Sequence, residues 1–292
     1  MFRYLPLLFL SLSLHAQSNF DADVFKPAFS DLYHFRFDEA DKKIELLKSL
    51  ECGELHFHFM KTNLLWWRIL AAENNTYLAD SCLYHANVAL YKIRYCPSLF
   101  TNDSLFLSIS LNAFKARILL LDKSYYKAYK QANKLVECIS RSRGKENEFP
   151  FFYLSSGIYN YGIEKAKSNS FIMLPYLITL PKGNLKLGLE QLTKGSESNN
   201  LNIRVESHYF LLKFYLEEEK DYEKALVSAN FLTKHFPENV FYCSLAMHVY
   251  QKLGKQDKIN SLYAQASKHM HNNKSLKKES VSYYNQLLKS FL

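Results

Sequence analysis

Residues 206–239 read ESHYFLLKFYLEEEKDYEKALVSANFLTKHFPEN. Tyr209, Leu212 and Leu216 recur at the three-to-four-residue spacing of a buried helical stripe, and Ala225, Ala229 and Leu232 do the same beyond the acidic run Glu217-Glu218-Glu219. Two helices joined by a tight turn at Asp221-Tyr222 and stopped by Pro237 account for all of these positions. Ala225 falls where the two helices would cross, and only a small side chain lets them approach closely there. Working outward, Ala40, Ala79, Ala128, Gly188 and Ile259 also follow a turn and open a second helix. With Ala225 in the series, the intervals are 39, 49, 60, 37 and 34 residues. Self-similarity of this kind marks stacked helical hairpins.

The 206–239 unit resembles a tetratricopeptide repeat (TPR), and the last two intervals lie near that family's period. The resemblance implies an all-α fold: a right-handed α-solenoid of about six helix pairs with a C-terminal capping helix. Earlier pairs are read at residues 55–73 with Ala79, Leu83, Ala86 and Leu90, and at 105–121 with Tyr125, Ala128, Ala132 and Leu135. Residues 151–167 read as helix despite Gly157 and Gly162. Pro175 and Pro181 then break the pattern, predicting an irregular insertion at about 169–182. Gly183-Asn184 opens the next helix, and the run from Leu180 through Gly188-Leu189 looks like a connection in divergent tetratricopeptide proteins. At the end of the chain Leu276, Ser280, Tyr283, Leu287 and Phe291 recur at helical spacing, leaving Lys274, Lys277, Lys278 and Lys289 for water.

Of 292 residues, 48% are hydrophobic while only 8 are Gly and 7 Pro, a composition suited to long helices. Residues 1–18 read as an export signal: Arg3, an apolar run over 5–14, then Ala16-Gln17-Ser18 for cleavage. The expected product is a single domain over 19–292, periplasmic or secreted, with an uncleaved N-terminal anchor as the lesser alternative. No later stretch reads as uncharged for long enough to span a bilayer. The formal charge is +9, and loss of Arg3 leaves 36 basic against 28 acidic residues. That excess favours anionic neighbours, but no nucleic-acid-binding motif accompanies it. Five cysteines at wide spacings do not form a dense disulfide framework. Cys52 and Cys96 both fall near predicted second-helix ends, which admits pairing, yet burial as small hydrophobes is the expected state.

Chains resembling this family recruit partners, so the expected function is an interaction scaffold and not an enzyme. Its concave groove would hold a peptide, a protein segment or an anionic envelope component. Transferring the family's ligand-facing position along the chain gives Phe29, Arg68, Arg117, Phe214 and His248, with Lys61, Phe210, Ser244 and Lys252 beside them. Arg68 and Arg117 would grip an acidic group through their planar forks, and Phe210 and Phe214 would seat an apolar side chain. The family's carboxylate-clamp pattern is not reproduced in the reference unit. A second reading is a helical enzyme or carbohydrate-handling domain with its site near 171–183, where an insertion interrupts a rigid scaffold. A third contact, with a membrane surface, would use Lys268, Lys274, Lys277 and Lys278.

No cofactor or metal is expected. Gly183 to Gly188 has P-loop spacing but continues with Leu189-Glu190, without the lysine and hydroxyl that hold phosphate and magnesium. His56 and His58, like His269 and His271, stand two apart and so face opposite sides of a helix. Asn74-Asn75-Thr76 and Asn102-Asp103-Ser104 fit the N-glycosylation pattern, and Ser104 also fits a bacterial envelope O-glycosylation motif. The crossing assigned to Ala225 makes Ala225→Leu overpack the reference unit by roughly 1–3 kcal/mol. A thermal melt at or above that of the parent would contradict this register.

Overall fold

In a computed structural model the described residues are 22–73, 77–99, 101–169 and 174–292. The signal reading at 1–18, the Asn74-Asn75-Thr76 glycosylation pattern and Phe171 lie outside them. All regular structure among the described residues is helical. The chain runs through α1 (Ala22–Tyr33), α2 (Phe37–Leu46), α3 (Gly53–Leu70), α4 (Tyr77–Lys92), α5 (Thr101–Leu121), α6 (Tyr125–Ser142) and α7 (Phe152–Asn169). It continues through the single turn α8 (Leu174–Leu177), then α9 (Leu185–Ser196), α10 (Leu201–Lys213), α11 (Tyr222–His235), α12 (Val240–Lys252), α13 (Gln256–Asn272) and α14 (Lys278–Lys289).

Local chemistry explains many of the helix starts and stops. The side chains of Asn184, Asn200, Asp221 and Asn239 accept hydrogen bonds from the amides of Leu187, Ile203, Lys224 and Tyr242, capping α9 to α12 in turn. The glycine-bearing run at 183–188 is thus a capped helix start. Four hairpin turns share one closing geometry. Phe35, Ala72, Lys123 and Gly254 each sit at positive φ. Each donates its amide to the carbonyl three residues back, and the next amide reaches the carbonyl five back, as in Arg36 N to Asp31 O at 2.9 Å and Lys255 N to Tyr250 O at 2.9 Å. This double bond pattern ends a helix by satisfying its last carbonyls. A fifth turn at Lys220 differs because a π-helical stretch, Phe214–Glu219, precedes it and adds one residue to the loop.

The hairpins α3/α4, α5/α6, α7/α9, α10/α11 and α12/α13 pack against their neighbours in chain order. The crossing residues Ala40, Ala128, Gly188, Ala225 and Ile259 are buried. Ala79 is a correction: it keeps part of its surface, and Cys82, Ala86 and Ala89 form the buried face of α4. Rotation of α4 about its axis brings Cys82, three residues further on, to the contact expected of Ala79. In α14 the buried stripe is Ser280, Tyr284 and Leu288, one step on from the expected Tyr283 and Leu287, with Tyr283 exposed. The Tyr284 hydroxyl donates to the Leu70 carbonyl at 2.6 Å, tying this last helix to α3. Lys274, Lys277, Lys278 and Lys289 are exposed.

Beyond this sequential packing, the chain closes on itself. Helices α1, α3, α5, α7 and α10 form a ring in which each touches the next and α10 returns to α1. One core combines α1 to α4 with α10 to α14, and a second holds Leu105, Phe106, Ile139, Phe152 and their neighbours from α5 to α7. Helix α5 is long and apolar enough to cross a membrane, by length and composition alone. It carries Asp103, Lys115 and Arg117, and half of its apolar window is buried inside the fold.

Cys52 and Cys96 form a disulfide, with Cα atoms 5.4 Å apart across 44 residues of sequence, whereas Cys82, Cys138 and Cys243 are free. The expectation that these two cysteines serve as unpaired core residues is corrected. Turns at the end of α2 and beyond α4 bring them together, a proximity that depends on the α3/α4 hairpin and not on spacing. Closing a loop of that length restricts the unfolded chain by about 4 kcal/mol in the entropic account.

Gly157 and Gly188 face each other where α7 crosses α9. A Cβ at Gly188 would lie 2.6 Å from the Tyr161 amide nitrogen and 2.9 Å from the Gly157 carbonyl oxygen, whereas one at Gly162 would meet nothing within 4 Å. Gly188→Ala should therefore destabilise by roughly 1–3 kcal/mol. Gly162→Ala should hold or raise stability by up to about 1 kcal/mol through helix propensity. Paired urea titrations check the contrast, and equal midpoints for the two variants would refute the close crossing.

Candidate functional site

Inside the helical ring lies a cavity of about 320 Å³. That is near the lower end of the ~300–1,000 Å³ usual for small-molecule sites. Its walls are mainly hydrocarbon, and each comes from a different element: Phe59 of α3, Ile109 and Ala113 of α5, Leu135 of α6, and Ile158 of α7. Leu177 and Leu180, from the proline-bearing segment, also line it. Helical spacing explains the convergence. Asn202, Glu206 and Phe210 stand four apart on α10, and Ser110, Ala113 and Arg117 share one face of α5.

The polar groups gather around Arg117 and Glu206, with Asn63 and Asn202 also in the lining. The Arg117 guanidinium stands over the rings of Phe210, Trp66 and Phe114 at 5.2, 5.5 and 5.8 Å. Among the described residues no carboxylate lies within ion-pair distance of it. Burial raises the Glu206 carboxyl above its ordinary range, and the charge of Arg117 pulls in the other direction. The buried Tyr33 hydroxyl donates to Asn202 Oδ1 and stands 3.3 Å from Glu206 Oε1. Burial and the neighbouring Glu206 together push that phenol well above its usual value.

The residues singled out from sequence meet different fates. Arg117 and Phe210 come together at the cavity, and Phe214 lies beside Phe210 with its ring stacked on Tyr161 at 4.1 Å. Lys61 is ion-paired with Asp41 and with Glu45 at 3.2 Å. Arg68 stands 3.5 Å from Asp38 and 3.8 Å from Glu73. Both cations are thus engaged by acids of α2 and the α3 turn. Phe29 is buried against Tyr33, because α1 is part of the ring and not a free groove wall. Ser244 is buried and donates to the Phe241 carbonyl at 2.8 Å. His248 packs against Phe291, and Lys252 is exposed at the end of α12. Ser104 is half-buried in the first turn of α5. Glu206 and Asn202 escaped the sequence reading as site residues. Their only signal was polar residues four apart on α10, ahead of Phe210.

A histidine pair forms outside the cavity. His58 Nδ1 and His85 Nδ1 are 2.8 Å apart, joining α3 to α4, and His58 Nε2 is 3.7 Å from Glu54. No group of three or more His, Cys, Asp or Glu side chains suited to a metal occurs among the described residues.

No family model matches this chain, and neither a curated protein nor a solved structure matches it. The site is therefore read from its geometry.

Burial, reinforced by His58, lowers His85 to about 4, and burial with Arg204 nearby lowers His208 to about 4. Both imidazoles resist protonation when folded. As pH falls below about 6.5 the unfolded chain takes up protons that the fold excludes, so stability is highest above 6.5 and declines toward 4. Melting temperatures across pH 8 to 4 should fall in that window, and the double variant His85→Asn, His208→Asn should flatten the decline. A parent profile flat from 6.5 to 4 would refute it.

Proposed function

We propose that this chain is an exported, TPR-like α-solenoid of about six helix pairs with a C-terminal cap, acting as a binding scaffold. Its inner cavity takes the apolar anchor of a partner that also carries a negative charge. The carrying observation is Arg117: a guanidinium beside apolar walls, braced by aromatic rings, with no carboxylate at ion-pair distance among the described residues. A guanidinium keeps its charge throughout the physiological range and fits a carboxylate with two parallel bonds. Four hairpin turns of one geometry support the repeat reading. The Cys52–Cys96 disulfide supports export, since such bonds persist in oxidising compartments.

Of the groove residues inferred from sequence, Arg117 and Phe210 carry this reading, while Lys61 and Arg68 serve to hold α2. The alternative of a helical enzyme or carbohydrate-handling domain draws on one observation, that Leu177 and Leu180 of the irregular segment reach the cavity. The exposed lysines at 268, 274, 277 and 278 leave an anionic membrane surface as an additional contact.

Site-specific photocrosslinking tests the scaffold reading. A photoreactive residue in place of Ala113, in cells that export the protein, should give a discrete adduct that Arg117→Glu reduces at least tenfold. The reading fails if position 113 yields no adduct above background while a reporter at exposed Tyr91 does.

A further inference from the structure

We infer that the cavity binds a free acyl chain ending in a carboxylate, with the chain among the apolar walls and the head on Arg117. This rests on one part of the reading above, that the cavity takes an apolar group bearing a negative charge, and names that group. Three observations carry it.

First, apart from Leu180 the walls are helix faces presenting mainly hydrocarbon, and a helix interior has already paired its own backbone donors and acceptors. An extended peptide entering here would bring its own amides and carbonyls into a space offering few partners. Each group left unpaired would cost roughly 1–3 kcal/mol. A hydrocarbon chain brings none, so the wall chemistry selects it over a polypeptide backbone.

Second, size fits. At about 320 Å³ the cavity lies within the ~300–1,000 Å³ usual for small-molecule sites, room enough for a medium-length hydrocarbon chain.

Third, the polar groups are asymmetric. Arg117 lines the cavity with its fork unclaimed by any described carboxylate, whereas Glu206 is already engaged with Tyr33. A ligand carboxylate finds a donor in Arg117 and an unfavourable neighbour in any ionised Glu206. An ammonium head would face the guanidinium with like charge.

The test measures binding of dodecanoate, dodecanol and dodecyltrimethylammonium to the purified full chain by calorimetry, below their micelle-forming concentrations. Dodecanoate should bind at least tenfold more tightly than dodecanol, and the ammonium should not bind. Arg117→Met, which keeps the stem over Trp66 and Phe210, should weaken dodecanoate at least tenfold and leave dodecanol unchanged. Glu206→Gln, which preserves an acceptor for Tyr33, should tighten dodecanoate, an effect that mere structural damage would not produce. Circular dichroism melts confirm that each variant folds, and head-group discrimination in the parent stands as evidence without them. Equal binding of dodecanoate and dodecanol, or no binding of either, overturns the inference. A crosslinked polypeptide from position 113 in that event would leave the scaffold reading intact.

Discussion

Tyr33 is the point on which the architecture turns, because one side chain and its own carbonyl bring the beginning of the chain against segments some 170 to 200 residues later. Its ring packs edge-on to Trp67 and beside Phe29 and Phe236. Its carbonyl accepts from Asn239 Nδ2 at 2.9 Å, and its hydroxyl meets Asn202 and Glu206. Nearby, Arg36 Nε donates to Glu238 at 2.7 Å and Asn273 Nδ2 donates to the Phe35 carbonyl at 3.1 Å. Loop-closure entropy opposes contacts of such separation, though it rises only slowly with length. Burial of several aromatic rings offsets it, each ring covering a large apolar area. The same Asn239 also caps α12, so a local helix start and a long-range closure share one side chain.

This closure decides what the inner face can do. With α1 seated between α3 and α10, a groove that stacked hairpins would leave open becomes a ring around a defined cavity. Lys61 and Arg68 turn to the acids of α2 and the α3 turn, and become part of the structure. Arg117, one hairpin further on, lies beyond the reach of those acids and keeps its charge toward the cavity. The buried tyrosine and Glu206 link the two roles, since the group that anchors α1 also borders the ligand space.

Regular turns sustain the hairpins between these long-range contacts. Three of the four equivalent turns place a side-chain-bearing residue, Phe35, Ala72 or Lys123, in the left-handed region that glycine accepts most readily. The packing of each hairpin outweighs that local strain. Where α7 meets α9 the solution differs: glycines on both helices permit backbone approach, and the connection between them runs through Pro175 and Pro181. The disulfide secures the α3/α4 region, where the chain enters and leaves the hairpin.

Periodicity, turns and proline positions were enough to recover the all-helical class and the small crossing residues such as Ala225 and Gly188, because these depend on neighbours a few positions away. Arg117 and Phe210 entered through the family resemblance, and both line the cavity. Register slipped at Ala79 and Tyr283, where a small rotation of a helix about its axis changes which side chains are buried without changing its apolar content. The pairing of Cys52 with Cys96, the meeting of His58 with His85, the burial of Phe29 and the gathering of Glu206 with Arg117 were decided only by tertiary structure. Each depends on how hairpins far apart in the chain are brought together, and that is set by ring packing and long-range hydrogen bonds that no local spacing encodes.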